Sequence, residues 1–268
     1  MSIVLVALAC GGSSATSDLT LAGATPRNVQ SATLVDLQAL REDGTLSVVA
    51  ESIGSSLDAG LAGLGLRGSE LTGAITFVIG GERALVVQGD IVEEELRQRL
   101  ADSGFLAQKV GDREVWSGTG PVGGVALLRG GRVAVSGDAR EMSAIVEALS
   151  EGRNLGSDEE MAVILAELPE GVVVSVSRDC FSVAAGCRAI GISFDKMDSL
   201  LAGFTFVALF DSESEVESAR EDLEAFVRLE RLYSGVTTRI VGRHFVAEGE
   251  ARSAEIFGGL SEEFDLSD

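Results

Sequence analysis

The chain predicts an α+β fold, an antiparallel sheet of hairpins covered on one face by helices and built as two similar halves. Three observations carry this. Paired strand-like runs meet at short glycine turns, single helical runs follow the pairs, and a unit of strand, Gly-Asp and helix recurs along the chain. The 46% hydrophobic content of the 268 residues supplies a sizeable core.

Residues 1–9 read as a signal-like segment. The apolar run from Ser2 to Ala9 is too short for a hydrocarbon core, which needs about 20 apolar residues, yet long enough for a secretory signal. Residues 10–31 read as a flexible tether because Gly, Ser, Ala and Thr dominate its start. The first α+β half spans 32–152. It opens with a strand over Ala32–Leu37 and a helix over Thr45–Leu64, whose apolar residues fall at mixed three- and four-residue spacing. Hairpins follow at Ala74–Ile79 with Arg83–Gln88, around Gly80-Gly81, and at Val125–Leu128 with Arg132–Ser136, around Gly130-Gly131. Each leads into a helix, the first near Ile91–Leu100 and the second at Ala139–Leu149. Asp90 with Glu93, and Asp138 with Glu141, have the spacing of a capping box, in which two side chains satisfy free amides at a helix start.

Polar residues 151–156 mark the boundary to a second half, 153–258. There Ser157 with Glu160 precedes a helix over Met161–Leu168, and the strand Phe204–Phe210 leads through Ser212 and Glu215 into a long helix reaching about Leu232. A third hairpin joins Val236–Val241 to Phe245–Ala251 around Gly242-Arg243. Residues 259–268 form an acidic tail expected to fray.

The charge excludes one class of partner. Against 21 Lys and Arg stand 42 Asp and Glu, a net −21, and the cations include only two lysines, Lys109 and Lys196. Nucleic acid is bound through cations that neutralise phosphates, so no nucleic-acid partner is expected. With one histidine and three cysteines, neither a His/Cys metal centre nor any other cofactor is expected.

The chemical motifs are weak. Gly118, Gly120 and Gly123 match the letters of a dinucleotide-binding loop, but a strand rather than a helix follows them. His244 stands beside a turn with nothing to mark a nucleophile or an orienting group, and it reads as a surface or edge-strand histidine. Carboxylate pairs such as Asp195 with Asp198, or Glu159 with Glu160, arise by chance among 42 acids, so no catalytic residue is assigned. Cys180 and Cys187, with six residues between them, form either one disulfide in an oxidising compartment or two buried thiols on one apolar segment.

The residues Ala7-Leu8-Ala9-Cys10 resemble the lipobox of bacterial lipoproteins, although leucine adjoins the small residue where the family places it one further back. The resemblance implies cleavage before Cys10, a lipid (diacylglycerol, palmitate) on its thiol, and a place outside the cytoplasm at the bacterial cell envelope, held to the membrane by that lipid. It also resembles the many envelope lipoproteins without assigned activity. Three functions follow in order. The first is a non-catalytic binding or scaffolding module, so no enzyme. The second is a carrier of an apolar small molecule or lipid, requiring a sheet–helix cavity of about 300 Å³ or more. The third is a hydrolase using two carboxylates.

Overall fold

A computed structural model describes residues 19–44, 46–180, 183–196, 201–229 and 233–253, with Ile256, Leu260 and Phe264. In chain order, the elements of the first half are α1 (Leu21–Ala24), β1 (Ser31–Asp36), α2 (Leu37–Glu42), α3 (Ser47–Leu61), β2 (Leu71–Ile79), β3 (Glu82–Gly89), α4 (Glu93–Asp102), β4 (Leu106–Val110), β5 (Arg113–Ser117), β6 (Gly124–Leu128), β7 (Arg132–Ser136) and α5 (Ala139–Ser150). The second half adds α6 (Glu159–Glu167), β8 (Val173–Ser177), β9 (Cys187–Lys196), β10 (Leu201–Phe210), α7 (Glu213–Leu229), β11 (Tyr233–Val241) and β12 (His244–Arg252).

Among the described residues the twelve strands lie in one antiparallel sheet, in the order β11-β12-β10-β9-β8-β1-β2-β3-β7-β6-β5-β4. The α+β class read from the sequence is the observed one. The two halves meet where β1 pairs with β8, from Ser31 opposite Ser177 to Val35 opposite Val173, so the sheet runs unbroken through both. Residues 151–156 are stitched to the N-terminal segment: the Arg27 amide donates to the Arg153 carbonyl at 2.9 Å, and the Leu155 amide donates to the Thr25 carbonyl at 2.8 Å. The first two hairpins turn as expected, because Gly80, Gly81, Gly130 and Gly131 all take positive φ, as the twist of a two-residue hairpin turn requires.

Helices cover both faces, where the sequence pattern suggested one. Alternate residues along each strand point to opposite sides, and both sides are apolar: in β10, Phe204, Phe206 and Phe210 join one cluster, Val207 and Leu209 the other. α2, α3, α4 and α7 pack on the first face, and α1, α5 and α6 on the second. The unbroken apolar runs in β3 and β6 are what burial on two sides demands.

Two segments assigned from composition differ in part. Within the expected tether, Leu19, Leu21, Ala24 and Val29 are buried in the second-face core. Thr20 caps α1, accepting from the Gly23 amide at 3.2 Å. Residues 10–18, including Cys10 and the small-residue run after it, lie outside the described residues. In the expected acidic tail, Leu260 and Phe264 are buried, and with Ile256 they repeat at four-residue spacing against the first-face core. The acids between them masked an apolar stripe of helical period.

Helix starts follow local side-chain chemistry. The Ser212–Glu215 box is complete: the Ser212 amide donates to Glu215 Oε2 at 3.1 Å, and the Glu215 amide donates to Ser212 Oγ at 3.4 Å. Asp138 accepts from the Arg140 and Glu141 amides, but Glu141 Oε2 stays buried without a hydrogen-bond partner among the described residues. For α6 the cap is Asp158, one residue after the expected Ser157. α4 starts after Val92 with no side-chain cap, so Asp90 takes no capping role; Glu93, Glu94 and Glu95 in its first turn complement the helix dipole instead.

Candidate functional site

The long helix α7 presents Val216, Ala219, Leu223 and Val227 to the sheet, a three-and-four spacing that puts all four on one side. Beneath it, β10 offers phenylalanines at alternate positions, Phe204, Phe206 and Phe210, in the same apolar cluster as the buried face of α7. Phe206 lies 5.7 Å from Phe226 of α7 and 6.5 Å from Phe245 of β12, centroid to centroid. Phe204 lies 4.4 Å from Tyr233. Its ring also lies across Gly249, opposite it on β12; a Cβ there would come within 2.8 Å of the ring edge.

The rings of Phe204, Phe206, Phe226 and Tyr233 border a cavity of about 180 Å³, partly open to solvent. Ile190, Ile192, Phe204, Phe206 and Val227 form its apolar wall, and Ser175 and Ser177 contribute the hydroxyls. Phe226 stands at the rim with 37% of its surface exposed. The Ser177 hydroxyl is engaged by the Asp179 amide at 3.0 Å and the Ser175 hydroxyl by Thr33 at 2.9 Å, so both polar atoms have partners and the interior is suited to hydrocarbon. The volume is below the roughly 300–1,000 Å³ of pockets that enclose a whole small molecule. It accommodates the end of a chain or one side chain.

The cavity's roof is tied down from outside. Glu224 on α7 accepts from Arg220 at 3.0 Å, pairs with Arg228 at 3.3 Å and accepts from Thr238 of β11 at 3.3 Å. The Arg220 hydrogen bond, helped by the charges of Arg228 and Arg220, holds the Glu224 carboxyl below its ordinary range. The floor is tied by a disulfide: Cys180 and Cys187 are bonded, with Cα atoms 6.1 Å apart, and close the loop from β8 to the start of β9.

No protein-family model matches the chain, and no curated protein matches it in sequence. Solved structures do match in shape. The fold resembles that of TP0453. Its crystal form I superposes with a TM-score of 0.56 at 10% identity, covering 92% of this chain and 99% of that one. Crystal form IV gives 0.56 at 11% identity, over 90% and 96% of the two chains, and crystal form III gives 0.55 at 10%, over 91% and 98%. At this identity the likeness to TP0453 speaks for the fold alone.

The other residues singled out by sequence are dispersed. Gly118, Gly120 and Gly123 lie in the loop between β5 and β6, where the Gly118 amide donates to the Gly123 carbonyl at 3.0 Å and no helix follows. His244 heads β12 with Nε2 3.4 Å from Glu167 Oε1 of α6. Glu160 is spent on Arg178 at 3.3 Å and Arg188 at 3.6 Å, and Asp198 lies outside the described residues. Among the described residues there is no group of three or more His, Cys, Asp or Glu side chains placed to hold a metal. No helix there is long and apolar enough to cross a membrane.

Proposed function

We propose that the chain is a lipid-anchored, non-catalytic binding module of the bacterial cell envelope that grips one apolar group of its partner in the cavity beneath α7. The observation that supports it most is the cavity itself, a ring-lined hollow with Phe226 exposed at its mouth. A hollow walled by hydrocarbon forgoes dispersion contacts that an apolar occupant would restore. Its volume favours a partner's side chain or chain end over a freely carried lipid, so binding is preferred to transport. The anchor rests on the lipobox-like residues before Cys10, and a bonded Cys180–Cys187 pair agrees with an oxidising compartment.

The test uses octyl glucoside below its micelle-forming concentration as a neutral, single-chain probe. Calorimetry of the full chain should give saturable binding with a negative heat-capacity change, the mark of apolar burial. Val227→Phe, which fills the hollow, should abolish it. No saturable binding, or binding indifferent to Val227→Phe, would overturn the reading. For the anchor, the native host should yield a processed, acylated form in the membrane fraction, and Cys10→Ser should leave it unacylated.

A further inference from the structure

The second face carries a different opening. Between α5 and the segment leading into β1 lies an open cleft of about 700 Å³. Its floor is an ion-pair network in which each carboxylate is spent. Asp158 Oδ1 accepts from the Glu160 and Met161 amides at 3.1 and 3.0 Å, and Oδ2 meets Arg27 Nε at 3.3 Å and Arg178 Nη2 at 2.9 Å. Arg178 also donates to the carbonyls of Val29 and Arg27, both at 3.1 Å. With Nη1 also donating to Glu160 at 3.3 Å, four of its five N–H donors are committed within the network, and it serves as a strut.

The wall is different. The Arg27 amide bonds to the Arg153 carbonyl, and Pro26 bridges to Asn154, so these two arginines, which flank the first half in sequence, stand side by side. Each guanidinium spends only its Nε, Arg27 on Asp158 and Arg153 on Glu151 at 2.7 Å. The η nitrogens of both have no partner among the described residues, and the side chains are 53% and 57% exposed. Four N–H donors thus remain on each, beside the Asn28 amide on the same wall. In a chain of net charge −21, such a pair is conspicuous.

We propose that this cleft binds a phosphoryl group, free in solution or on a lipid headgroup, gripped by Arg27 and Arg153. Two planar forks and an amide offer more donors than the two oxygens of a carboxylate accept, whereas the three terminal oxygens of a phosphate monoester use them. Asp158 holds the Arg27 fork by its Nε edge, which fixes its direction before a ligand arrives. Glu147 on the α5 wall is exposed and repels a second anionic group, so the site selects one phosphoryl group rather than a polyphosphate.

The full chain titrated calorimetrically with inorganic phosphate at low ionic strength should bind saturably. Arg27→Gln and Arg153→Gln should each weaken binding about tenfold, the effect expected for losing one charge-assisted contact. Arg153→Gln leaves the Asp158 network intact and so reports the site without disturbing the floor. Arg67→Gln, remote and exposed, controls for net charge and should change nothing, while Glu147→Gln should tighten binding. Capture by phosphatidylcholine vesicles carrying phosphatidic acid separates the sources: capture weakened by Arg153→Gln identifies the headgroup, and capture indifferent to it identifies the free ion. Absence of saturable phosphate binding, or an Arg67→Gln loss equal to that of Arg153→Gln, would overturn the proposal. Octyl glucoside binding should be unchanged in all these variants, so failure here and failure of the α7 cavity reading are read separately.

Discussion

The first face of the sheet is covered at both ends, and the two coverings are made of different material. Under α2, α3 and α4 the core is mainly aliphatic, with Leu37, Leu40, Ile53, Leu57, Leu61 and Leu96 at 0–2% exposure and Trp116 of β5 in the same cluster. Under α7 it is aromatic, with Phe204, Phe206, Phe210 and Phe245 facing one helix. Branched side chains interdigitate and adapt by rotating, whereas flat rings meet at fixed angles and leave gaps when a single helix must cover them. The same sheet therefore holds a filled end and an end with a hollow. The hollow end is the more heavily tied, by the disulfide, the Glu224 clamp and the complete Ser212–Glu215 cap.

Core truncation tests this contrast most severely. Leu57→Ala, deep in the aliphatic end, should cost about 2–5 kcal/mol, since both transfer and cavity terms are lost. Phe206→Leu borders space that is already open and should cost under about 1.5 kcal/mol. Urea midpoints at unchanged m would measure both. Equal losses would mean that the α7 end is as tightly filled as the other.

Removing the staple should cost somewhat less and act at one end. Closing a short loop by a disulfide restricts the unfolded chain, and for a loop of this length the loss on Cys180→Ala with Cys187→Ala is about 2.5 kcal/mol. Hydrogen exchange should rise first in β9, β10 and α7 while α3 keeps its protection. Uniform loss of protection across both ends would mean that the staple serves the whole sheet, and the contrast between them would narrow.

How far the sequence foretold this contrast differs from element to element. The hairpins around Gly80-Gly81 and Gly130-Gly131 were legible because only glycine accepts those turn angles without strain. The Ser212–Glu215 cap was legible because its chemistry is local. The strands β4, β5, β8 and β9 were not: β4 is nearly all exposed, with Gln108 and Lys109 at its middle, and is a strand only because β5 pairs with it. The second covered face has its signal in the continuous apolar stretch of Gly124–Leu128, which alternation would have broken had one side faced water. The cavity had almost none. Its lining comes from β8, β9, β10, α7 and β11, and only the tertiary meeting of Phe206 with Phe226 defines it. The pairing of Arg27 with Arg153 was equally hidden, because it depends on a backbone bond between segments far apart in sequence.

The smallest expected effects compare two helices on the second face, α5 at the filled end and α6 at the hollow end. Burial alone would raise the Asp158 carboxyl; the Met161 amide and the guanidinia of Arg178 and Arg27 outweigh it and hold the group below 3.8. A depressed carboxyl contributes stability that is fully present above the unfolded value and is lost as pH falls through the folded one. Glu141 on α5 goes the other way: burial first, then the charges of Glu82 and Asp138, raise it above 4.5. Its ionised form is therefore a cost at neutral pH, relieved as pH falls through the raised folded value towards 4.5. Acid unfolding should thus show two opposed slopes, a slight gain through the Glu141 window and a loss through the Asp158 window, which starts at the ordinary carboxyl value and ends below the lowered folded one. Asp158→Asn should remove the second slope and Glu141→Gln the first, with Glu141→Gln slightly stabilising at pH 7 and indistinguishable from the parent below both of its values. If Glu141→Gln lowers stability at pH 7, that carboxylate has a partner in solution, and the α5 cap is as complete as the one on α7.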